Sequence, residues 1–549
     1  MPKFNRYLLL LVLITLVPLF DFFHSGLPLT HDGRDHVVRI ANFSRSLSEG
    51  NLLPRWAGRL NWGYGHPVLM FLYPASSYLG SAFHFFGFSF VDSTKIVFAL
   101  GFVLSAVFMF LWIKETWGNG PGLVAGLSYA FAPYRFVDLY VRGAIGENLA
   151  FVWPPLICFF FLKLSKKYKP KYLIGAAVSL ALLVLSHNAL SLMFIPLTLV
   201  YILDLTFFTS KKNPYFILYS IFSILLGFAL SAFFWLPALI EGKYTLRNIV
   251  TSGNIVGFES ISRLLNSPWN YGGTGSMSVQ LGLWQWFFIL SAPLAIYLLF
   301  KRRDHRWLWL TCLMGIFLIA IFLILPLSLP VYLALPILQQ FQFAWRFLSL
   351  ALLPPAVFGG GLVFLLSRKR QRYVVPLLIL GLILANRPYW RAQSFLQKDE
   401  SFYSGVYAGT TDTGESAPRW SVRFMESYPA APLEVIEGEA KIEPLVRLSN
   451  RHEYKVQAVS PVRLVENTLY FPGWQVLSDG EPLPLEFQDP NFRGLMTFRL
   501  PAGEHALSVN FSETKLRRAA NSLSAVALLV LISLAGLRYI NDFRRLSRL

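Results

Sequence analysis

Long apolar runs separated by short polar stretches dominate the chain, and this spacing is typical of membrane-spanning helices rather than of a soluble core. The run at residues 7–23 has the length of a signal peptide, but no small-residue cleavage site follows it, so we interpret it as a retained helix. The pattern predicts twelve helices, at about residues 7–23, 94–113, 120–134, 149–162, 172–187, 189–208, 214–240, 281–300, 307–325, 343–366, 373–387 and 520–537.

Charge sets the orientation of these helices. The positive-inside rule places the basic clusters, and with them both termini, in the cytoplasm: residues 163–171, 211–212, 301–306, 368–372 and 538–548. A further apolar run at 66–88 is long enough to span, but as a span it would turn 163–171 outward, so we predict a re-entrant or interfacial segment. Four soluble stretches are then expected outside: 24–93, 135–148, 241–280 and 388–519.

The last outer stretch changes from helical to strand periodicity. It contains RLVENTLYFPGWQVLSDG, LMTFRL and HALSVNFSE, with turn signals at Pro472-Gly473, Asp479-Gly480 and Ala502-Gly503. The predicted fold is therefore a polytopic α-helical membrane protein of about twelve transmembrane helices with a C-terminal extracytoplasmic β-sandwich before the last helix. Its predicted parts are a transmembrane domain at 1–387, a β-rich domain at 388–519, and a final helix with a basic tail at 520–549.

Composition agrees with this class. The 549 residues are 54% hydrophobic and 14% charged, and the mean hydropathy is +0.49. The net charge of +19 does not indicate nucleic-acid binding, because most of the excess lies in short clusters between apolar runs. The two cysteines, Cys158 and Cys312, both fall in apolar segments, so no disulfide framework or cysteine zinc site is expected.

The stretch THDGRDHVVRIANF, residues 30–43, places acids and histidines directly after the first apolar helix. In a helix, Asp32 would lie near His36, and Asp35 near Arg39. A carboxylate in such a partly desolvated position can act as a general base or hold a metal together with a histidine. An ordinary solvated interfacial loop explains the same pattern.

Further charged and polar residues are expected on the same outer face. They are Arg135, Asp138, Arg142 and Glu147 in RFVDLYVRGAIGEN, His187 in LSHNAL, and Gln340, Gln342 and Arg346 in QQFQFAWRF. Each has a structural explanation as well: an ion pair of Arg142 with Glu147, a helix-end histidine, or a snorkelling Arg346. Together they predict a site for an anionic, lipid-borne substrate, with arginines on phosphate, aromatics on sugar or prenyl, and a carboxylate as base.

Several motifs carry a family resemblance. HDGRDHVVRIANFSRSLSEGNLLPRWAGRLNWGYGHPVLMFLYPASSYL resembles the first outer loop of bacterial membrane proteins related to 6-pyruvoyl-tetrahydropterin synthase, and more distantly that of YfhO-like and C-type (GT-C) glycosyltransferases. VRGAIGE and FQFAWRF are similar to this family too, and LYFPGWQVLSDG with LPAGEHALSVNFSET resembles the C-terminal sandwich of the YfhO-like proteins. The pterin label carries no expectation, because the chain has no soluble pterin-synthase pattern.

The resemblance implies a GT-C-like fold and a transfer reaction. It assigns the catalytic role to Asp32, with Asp35 as competitor, His36 in place of a second acid, and Glu147 as a possible second acid or orienting partner. The candidate substrate-binding residues are Arg55, Trp56, Tyr64, Tyr73, Arg142, His187, Gln342 and Arg346. Because His36 replaces a carboxylate, we expect metal-free base catalysis and no cofactor; a divalent metal is an option that the sequence does not support.

The predicted function is a bacterial plasma-membrane glycosyltransferase that moves a sugar from a polyprenyl phosphate donor to a glycan, lipid or protein acceptor at the outer face. The partners expected are this donor, the acceptor and membrane lipids, without nucleic acid. Two alternatives stay open: a flippase or transporter of lipid-linked glycans, and a non-catalytic envelope scaffold. Transport would spread polar groups through the membrane depth, whereas this sequence concentrates them outside.

Two outer motifs have other predicted roles. Trp474 in PGWQ is expected in the sandwich core or a turn rather than as a sugar platform. YAGTTDTGESAPRW, residues 407–420, lacks the strand-to-helix context of a phosphate loop, so we predict no nucleotide role and a possible lid over the cavity.

Overall fold

The computed structural model describes residues 5–210, 213–251, 257–272 and 276–546. The basic pair at 211–212 and the last three residues lie outside the described residues. The first half of the helical region consists of Arg6–Leu16, continued by the 3₁₀ turns Val17–Phe23, then Gly33–Ser48, Val68–Phe71, Ala75–Phe85, Phe90–Trp117, Asn119–Ala130, Pro133–Val137, the π-helical turn Asp138–Arg142, Ile145–Ala150, Trp153–Lys166, Pro170–Ser186 and Asn188–Phe208.

The second half continues with helices Phe216–Leu230, Ala232–Glu241, Arg247–Thr251, Ile261–Leu265, Leu283–Lys301, Arg306–Ile324, Leu329–Ala334, Leu348–Ala351, Leu353–Leu365, Arg368–Asn386, Glu400–Ser404 and Lys515–Leu546. Short 3₁₀ segments at Asn61–Gly63, Gly242–Tyr244, Pro326–Ser328, Pro336–Phe341, Ala344–Phe347, Arg387–Tyr389 and Pro490–Phe492 connect or extend these helices.

All twelve predicted apolar segments are helical, but fewer are long and apolar enough to cross a membrane. Within the described ranges, eight helices meet both conditions: Arg6–Phe23, Phe90–Trp117, Ile145–Lys166, Asn188–Phe208, Leu283–Lys301, Arg306–Ile324, Ala344–Leu365 and Lys515–Gly536. Asn119–Ala130, with 12 residues, is only about 18 Å long. The count of twelve spans therefore stays a prediction, and the structure supports eight or nine.

The ninth candidate corrects one prediction. The single helix expected at 214–240 is wrong, because the chain breaks at Ser231 and the two halves, Phe216–Leu230 and Ala232–Tyr244, meet at 68°. The Ser231 hydroxyl donates to the carbonyl oxygens of Gly227 and Phe228, at 3.0 and 3.2 Å. Such back-bonding by serine competes with the helical ladder and favours a bend.

Two outer segments also differ from simple loops. The apolar run at 66–88 forms two short helices, Val68–Phe71 and Ala75–Phe85, and neither is a candidate span. The stretch 135–148 was predicted to be soluble, and this is wrong: each of its residues is buried. Arg142 there pairs with Asp138 and Glu147, and Arg135 donates to Ser105 and Asn148 at 3.0 and 3.2 Å, which offsets part of the cost of leaving water.

The predicted strands are present. A short pair joins β1 (Leu27–Pro28) to β2 (Phe395–Leu396). A three-stranded antiparallel sheet has the order β3–β6–β9, and a five-stranded sheet has the order β4–β5–β10–β7–β8. Their bounds are β3 Leu433–Glu437, β4 Ala440–Arg447, β5 Arg451–Ala458, β6 Val462–Leu469, β7 Trp474–Ser478, β8 Glu481–Pro482, β9 Leu495–Leu500 and β10 Gly503–Phe511.

Both larger sheets contribute to one apolar cluster, with Leu464 and Phe498 from the first and Val456 and Val509 from the second. Trp474 is 3% exposed in this cluster, which confirms its core role. Asp479 and Gly480, with φ of 52° and 91°, form the tight turn between β7 and β8, as the sequence predicted.

The first outer loop packs against this β region. Trp56, Tyr64 and Phe71 belong to the same apolar cluster as the strands. Arg55 Nε lies 2.7 Å from Glu513 Oε1 after β10, and Arg517 Nε donates to Glu241 Oε2 at 2.7 Å. The loop thus lies between the helical region and the sheets, and its first helix reaches the site described next.

Candidate active site

Helix Gly33–Ser48 begins at Asp32, and this start is unusual. Asp32 occupies the N-cap position, yet its carboxylate makes no capping hydrogen bond. The Gly33 amide donates instead to the hydroxyl of Thr30, at 3.1 Å. The Asp32 carboxylate therefore does not cap the helix, as an N-cap aspartate usually does.

The surroundings of Asp32 make it a candidate base. It is accessible from a cavity, although protein surrounds it on most sides. Burial raises the pKa of Asp32 above its ordinary value, and the positive charges of Arg142 and Arg39 only partly oppose this. A carboxylate with a raised pKa accepts a proton more readily than a solvated one.

His36 and Arg39 lie one turn further along the same helix. Arg39 Nη1 lies 2.9 Å from His36 Nδ1, and Arg39 Nη2 donates to the carbonyl oxygen of Thr411. Burial, together with Arg39 and Arg142, holds the pKa of His36 well below its ordinary value. The imidazole is therefore neutral at physiological pH and accepts the hydrogen bond from Arg39.

Arg142 ends the π-helical turn and is held by two buried acids. Its Nη1 lies 2.7 Å from Asp138 Oδ1 and 2.6 Å from Glu147 Oε2. Its guanidinium lies over the ring of Trp345, 4.7 Å from the centroid. The predicted ion pair with Glu147 is thus confirmed, and the aromatic contact fixes the plane of the guanidinium.

The segment after helix Leu329–Ala334 adds a further arginine, Arg346. Arg346 is 8% exposed, so it does not snorkel; Nη1 donates to the Phe341 carbonyl at 2.8 Å and Nε lies 3.8 Å from Glu147 Oε2. Gln342 has φ 64° and ψ −48°, and the Phe343 amide bonds the Phe341 carbonyl across it at 2.7 Å. This tight turn with positive φ is a strained conformation for glutamine, and strain of this kind clusters at functional sites.

The predicted lid segment forms one wall. The Asp412 carboxylate accepts hydrogen bonds from the amides of Gly414 and Ser416, at 2.9 and 3.2 Å, and lies 3.3 Å from His66 Nε2. Burial alone would raise the pKa of Asp412, but His66 and these donors hold it below its ordinary value. The carboxylate therefore stays ionised and fixes the loop.

These elements enclose one cavity of about 340 Å³. Its wall includes the predicted residues Asp32, His36, Tyr73, Arg142, His187, Gln342 and Arg346. His187 accepts a hydrogen bond from the Leu190 amide at 3.3 Å, which confirms the helix-end role, and it also stacks on Tyr73 at 4.9 Å. The structure thus brings seven of the twelve predicted site residues together.

The other five lie elsewhere. Glu147 is fully buried behind Arg142, where it accepts hydrogen bonds from Tyr134 and Ser349. Asp35 is not part of the cavity wall. Its carboxylate accepts a hydrogen bond from the Tyr407 hydroxyl at 2.8 Å. Arg55 bonds Glu513 and Asn521, whereas Trp56 and Tyr64 line a second cavity.

Sequence reasoning missed part of the wall. Arg39 was seen only as a helical neighbour of Asp35, and the site role of Asp412 and Glu415 was not predicted. They lie about 370 residues beyond Arg39 in the chain, so no local spacing connects them. The signal in the sequence was the acid-containing TTDTGES motif between two aromatic residues.

In the part of the chain that the structure describes, no group of three or more histidine, cysteine, aspartate or glutamate side chains could hold a metal ion. Asp32 and His36 are a single carboxylate and a single imidazole on one helix, and Arg39 occupies Nδ1 of that imidazole.

The fold and this cavity define a polytopic membrane protein with a polar, arginine-lined site on the side where the segments predicted to be outer meet. The model of the 6-pyruvoyl-tetrahydropterin synthase related domain, a membrane protein domain, matches residues 69–392. The chain therefore belongs to this family, as its motifs suggested.

Comparison with individual proteins gives more distant similarities. An uncharacterized protein of Lactococcus lactis subsp. cremoris (strain MG1363) is 24% identical over 258 residues, which are 46% of this chain and 42% of that protein. The chain thus spans less than half the length of this relative. Among solved structures, the arabinofuranosyltransferase AftD from Mycobacteria has a TM-score of 0.47 at 16% identity, over 72% of this chain and 27% of that one. The Archaeoglobus fulgidus oligosaccharyltransferase with Zn and sulfate has a TM-score of 0.40 at 17% identity, over 73% and 53%.

Proposed function

We propose that the chain is a membrane glycosyltransferase that moves a sugar from a polyprenyl phosphate donor to an acceptor hydroxyl at the outer face. The observation that carries the proposal is Asp32, an N-cap carboxylate that makes no capping hydrogen bond and borders a cavity also lined by Arg39, Arg142, Arg247 and Arg346. Asp32 is reachable from the cavity, and a carboxylate with a raised pKa at such a site is suited to accept a proton.

The arginines supply the complementary half of the chemistry. Arg39, Arg142 and Arg346 all border the cavity, and planar guanidinium groups bind phosphate oxygens through paired hydrogen bonds. Two of them lie against Trp345, which restricts their orientation. An anionic lipid phosphate therefore has preorganised positive charge on one side of Asp32.

The proposed reaction is a single displacement. Asp32 removes the proton from the acceptor hydroxyl, and this oxygen forms a bond to the anomeric carbon while the bond from that carbon to the phosphate oxygen breaks. The leaving group is the polyprenyl phosphate, and the arginines stabilise the charge that develops on it. Attack from the face opposite the leaving group inverts the anomeric configuration.

Geometry supports Asp32 over Asp35 as the base. Asp35 is not among the residues that line this cavity, and the Tyr407 hydroxyl donates a hydrogen bond to one of its oxygens. The two carboxylates share one helix and one residue type, so Asp35→Asn is a matched control for Asp32→Asn.

The deciding experiment is donor turnover by purified protein in nanodiscs. Radiolabelled polyprenyl phosphate sugars are supplied as a panel, and release of polyprenyl phosphate is followed for the wild type, the two asparagine variants and a chelator-treated sample. We expect release that Asp32→Asn lowers by at least about a hundredfold, the usual scale for a general base, and that Asp35→Asn and the chelator barely change.

Other outcomes would reassign the protein. Donor binding without release, combined with movement of donor between the leaflets of proteoliposomes, would indicate the flippase alternative. If the protein neither binds any donor nor releases polyprenyl phosphate from it, the scaffold alternative is favoured. Loss of release on chelation alone would require a metal.

A further inference from the structure

A second cavity of about 420 Å³ lies between the first outer loop and the β region. It is separate from the proposed catalytic cavity, and the two share no lining residue. Trp56 and Tyr64, predicted as substrate-binding residues, belong to its wall. The proposed reaction does not use this cavity, and its lining is rich in aromatic rings and planar polar groups.

One wall presents a tryptophan from an unusual backbone. Asn61, Trp62 and Gly63 are three consecutive residues with positive φ, at 53°, 61° and 89°. Two of them are not glycine, and such left-handed residues persist only where the surrounding structure holds them. With this backbone conformation, the Trp62 side chain is half-exposed at the cavity. Its ring lies edge-on to that of Tyr428, with 4.9 Å between the ring centroids.

The lining also includes Glu49, one of whose carboxylate oxygens has no hydrogen-bond donor in the described part of the chain. Glu49 Oε2 accepts a hydrogen bond from the Ser449 amide at 2.8 Å, whereas the buried Oε1 has no hydrogen-bond partner among the described residues. Arg45 Nη1 is 3.9 Å from this oxygen, which is beyond hydrogen-bond distance. A buried acceptor left unpaired is costly, so a donor group from a ligand would stabilise it.

Arginines complete the polar lining. Arg59 donates to the Ser404 carbonyl at 3.0 Å, and Arg447 reaches Glu466 at 3.2 Å. Both border the cavity, where they offer further donors. Aromatic faces combined with acceptors and donors in one cleft match the alternating apolar and hydroxyl surfaces of a sugar ring.

The two cavities lie at opposite ends of one helix. Helix Gly33–Ser48 has Asp32 as N-cap in the first cavity and Glu49 as C-cap in the second. Its 16 residues place Asp32 and Glu49 about 24 Å apart along the helix axis. The segment after residue 404 follows the same path, because Trp62 and Asn61 donate to the carbonyls of Tyr407 and Gly409, and Thr411 borders the first cavity.

We propose that the second cavity binds internal sugar units of an oligosaccharide acceptor whose end reaches Asp32. This inference rests on the proposed transferase function and narrows the acceptor to a glycan chain several units long. Trp62 and Tyr428 contact the apolar faces of a sugar ring, and Glu49 accepts a hydrogen bond from a sugar hydroxyl.

The first test is binding without catalysis. A panel of linear oligosaccharides, from monosaccharides to octasaccharides of hexose, N-acetylhexosamine and pentofuranose type, is titrated into full-length protein in nanodiscs and followed by saturation-transfer NMR. We expect at least one octasaccharide to bind the wild type and Asp32→Asn alike. Trp62→Ala and Glu49→Gln should each weaken this binding by about tenfold, equivalent to the loss of one good contact.

The Glu49→Gln variant is expected to fold, since the glutamine carbonyl oxygen can still accept the hydrogen bond from the Ser449 amide. The second carboxylate oxygen, which has no donor among the residues that the structure describes, is replaced by an amide nitrogen. Phe86→Ala is the matched aromatic control, because Phe86 is 82% exposed and borders neither cavity. Equal affinity of all variants, or no binding of any oligosaccharide in the panel, would overturn the inference.

The second test separates this inference from the proposed function. With a turned-over donor, KM for octasaccharide acceptors should rise about tenfold in Trp62→Ala, while KM for monosaccharide acceptors should be nearly constant. Donor release that depends on Asp32 but shows no effect of Trp62 on long acceptors would refute the second site alone. Trp62-dependent binding without any donor release would refute the transferase and leave the glycan site.

Discussion

At the residue scale, Asp32 combines a helix-terminal position with an unfavourable environment. Its pKa is raised, so the ionised form is disfavoured in the folded protein compared with the unfolded chain. This penalty is complete above the raised pKa and disappears below 3.8, the ordinary aspartate value. Asparagine at this position carries no such penalty.

We therefore expect Asp32→Asn to raise the Tm at neutral pH and to leave it unchanged below the ordinary aspartate pKa, while it abolishes turnover. Thermal unfolding of the purified protein as a function of pH checks the first part. The wild-type rate should fall as the pH drops through the raised pKa, because a protonated carboxyl cannot act as base. A lower Tm of Asp32→Asn at neutral pH would contradict this assignment.

Arg142 is a buried cation, and in contrast to Asp32 its replacement is expected to destabilise the protein, because two buried carboxylates would lose their counterion. Arg142→Gln leaves Asp138 and Glu147 fully buried without their shared counterion. We expect a loss of about 3–5 kcal/mol, the scale for breaking a buried pair. Chemical denaturation measures it, and the triple variant Arg142→Gln/Asp138→Asn/Glu147→Gln should recover most of the loss. A loss that persists in the triple variant would point to the contact with Trp345 instead.

At the element scale, the π-helical turn must end against the start of helix Gly33–Ser48. Gly143 has φ 68°, and a Cβ there would lie 2.3 Å from Thr30 Oγ1 and 2.9 Å from the Gly33 amide. Thr30 supplies the hydrogen bond to Gly33 that Asp32 does not use. A side chain at 143 would therefore move the N-terminus of the helix that carries Asp32.

Gly143→Ala should lower kcat and destabilise the protein by more than the roughly 1–2 kcal/mol of a left-handed residue. Gly50→Ala is the matched control, since Gly50 has φ 92° and no atom within 4 Å of its added Cβ. Turnover and thermal unfolding of both variants separate backbone strain from the clash. Equal effects of the two substitutions would exclude a special role for the contact with Thr30.

The loop at 410–416 depends on one buried carboxylate. Asp412→Ala removes the acceptor of the Gly414 and Ser416 amides and the partner of His66. We expect faster hydrogen exchange in this loop and a donor KM raised by about tenfold or more, with a smaller change in kcat. Unchanged exchange would mean that Arg39, through its bond to Thr411, holds the loop alone. Thr413→Ala serves as control, because its side chain also borders the cavity but does not accept these amides.

Sequence patterns predicted where the helices and strands lie better than they predicted where a helix is interrupted. Hydrophobic runs located the twelve apolar helical segments and the strands from about residue 463 onward, because burial in lipid or in a sheet core imposes a period on the side chains, but they did not locate β3, β4 and β5. The bend at Ser231 and the burial of 135–148 were missed. Both depend on hydrogen bonds and ion pairs that hydrophobicity does not represent.

At the scale of the whole molecule, the proposed reaction requires the cavity to face the outer side. The charge distribution predicts that the β region is outside and the cluster at 368–372 inside. Labelling is practicable, since the only two cysteines are the buried Cys158 and the partly buried Cys312.

We expect Lys441→Cys, on exposed strand β4, to react with a membrane-impermeant maleimide in right-side-out vesicles, and Lys369→Cys only in inverted vesicles. The parent protein with its two native cysteines gives the background. The reverse pattern would place the cavity in the cytoplasm and exclude a donor presented at the outer leaflet.

The chemistry of the site was partly readable in the chain. Asp32, His36, Arg142 and Arg346 stand out because ionisable groups beside apolar runs are costly and are kept for pairing or function. Which of them meet was not readable: Asp32 and Asp35 are three residues apart and equivalent in sequence, and only the direction of their helix turns one to the cavity and the other to Tyr407.

By itself, the sequence determined the membrane class, the places of the helices and strands, and the residue types of the site, because these follow from local hydrophobicity and charge. Tertiary structure decided that Asp412, Arg39 and Asp32 line one cavity, and that Trp62 and Glu49 line another. Such contacts join segments hundreds of residues apart, and packing between elements sets them rather than any local period.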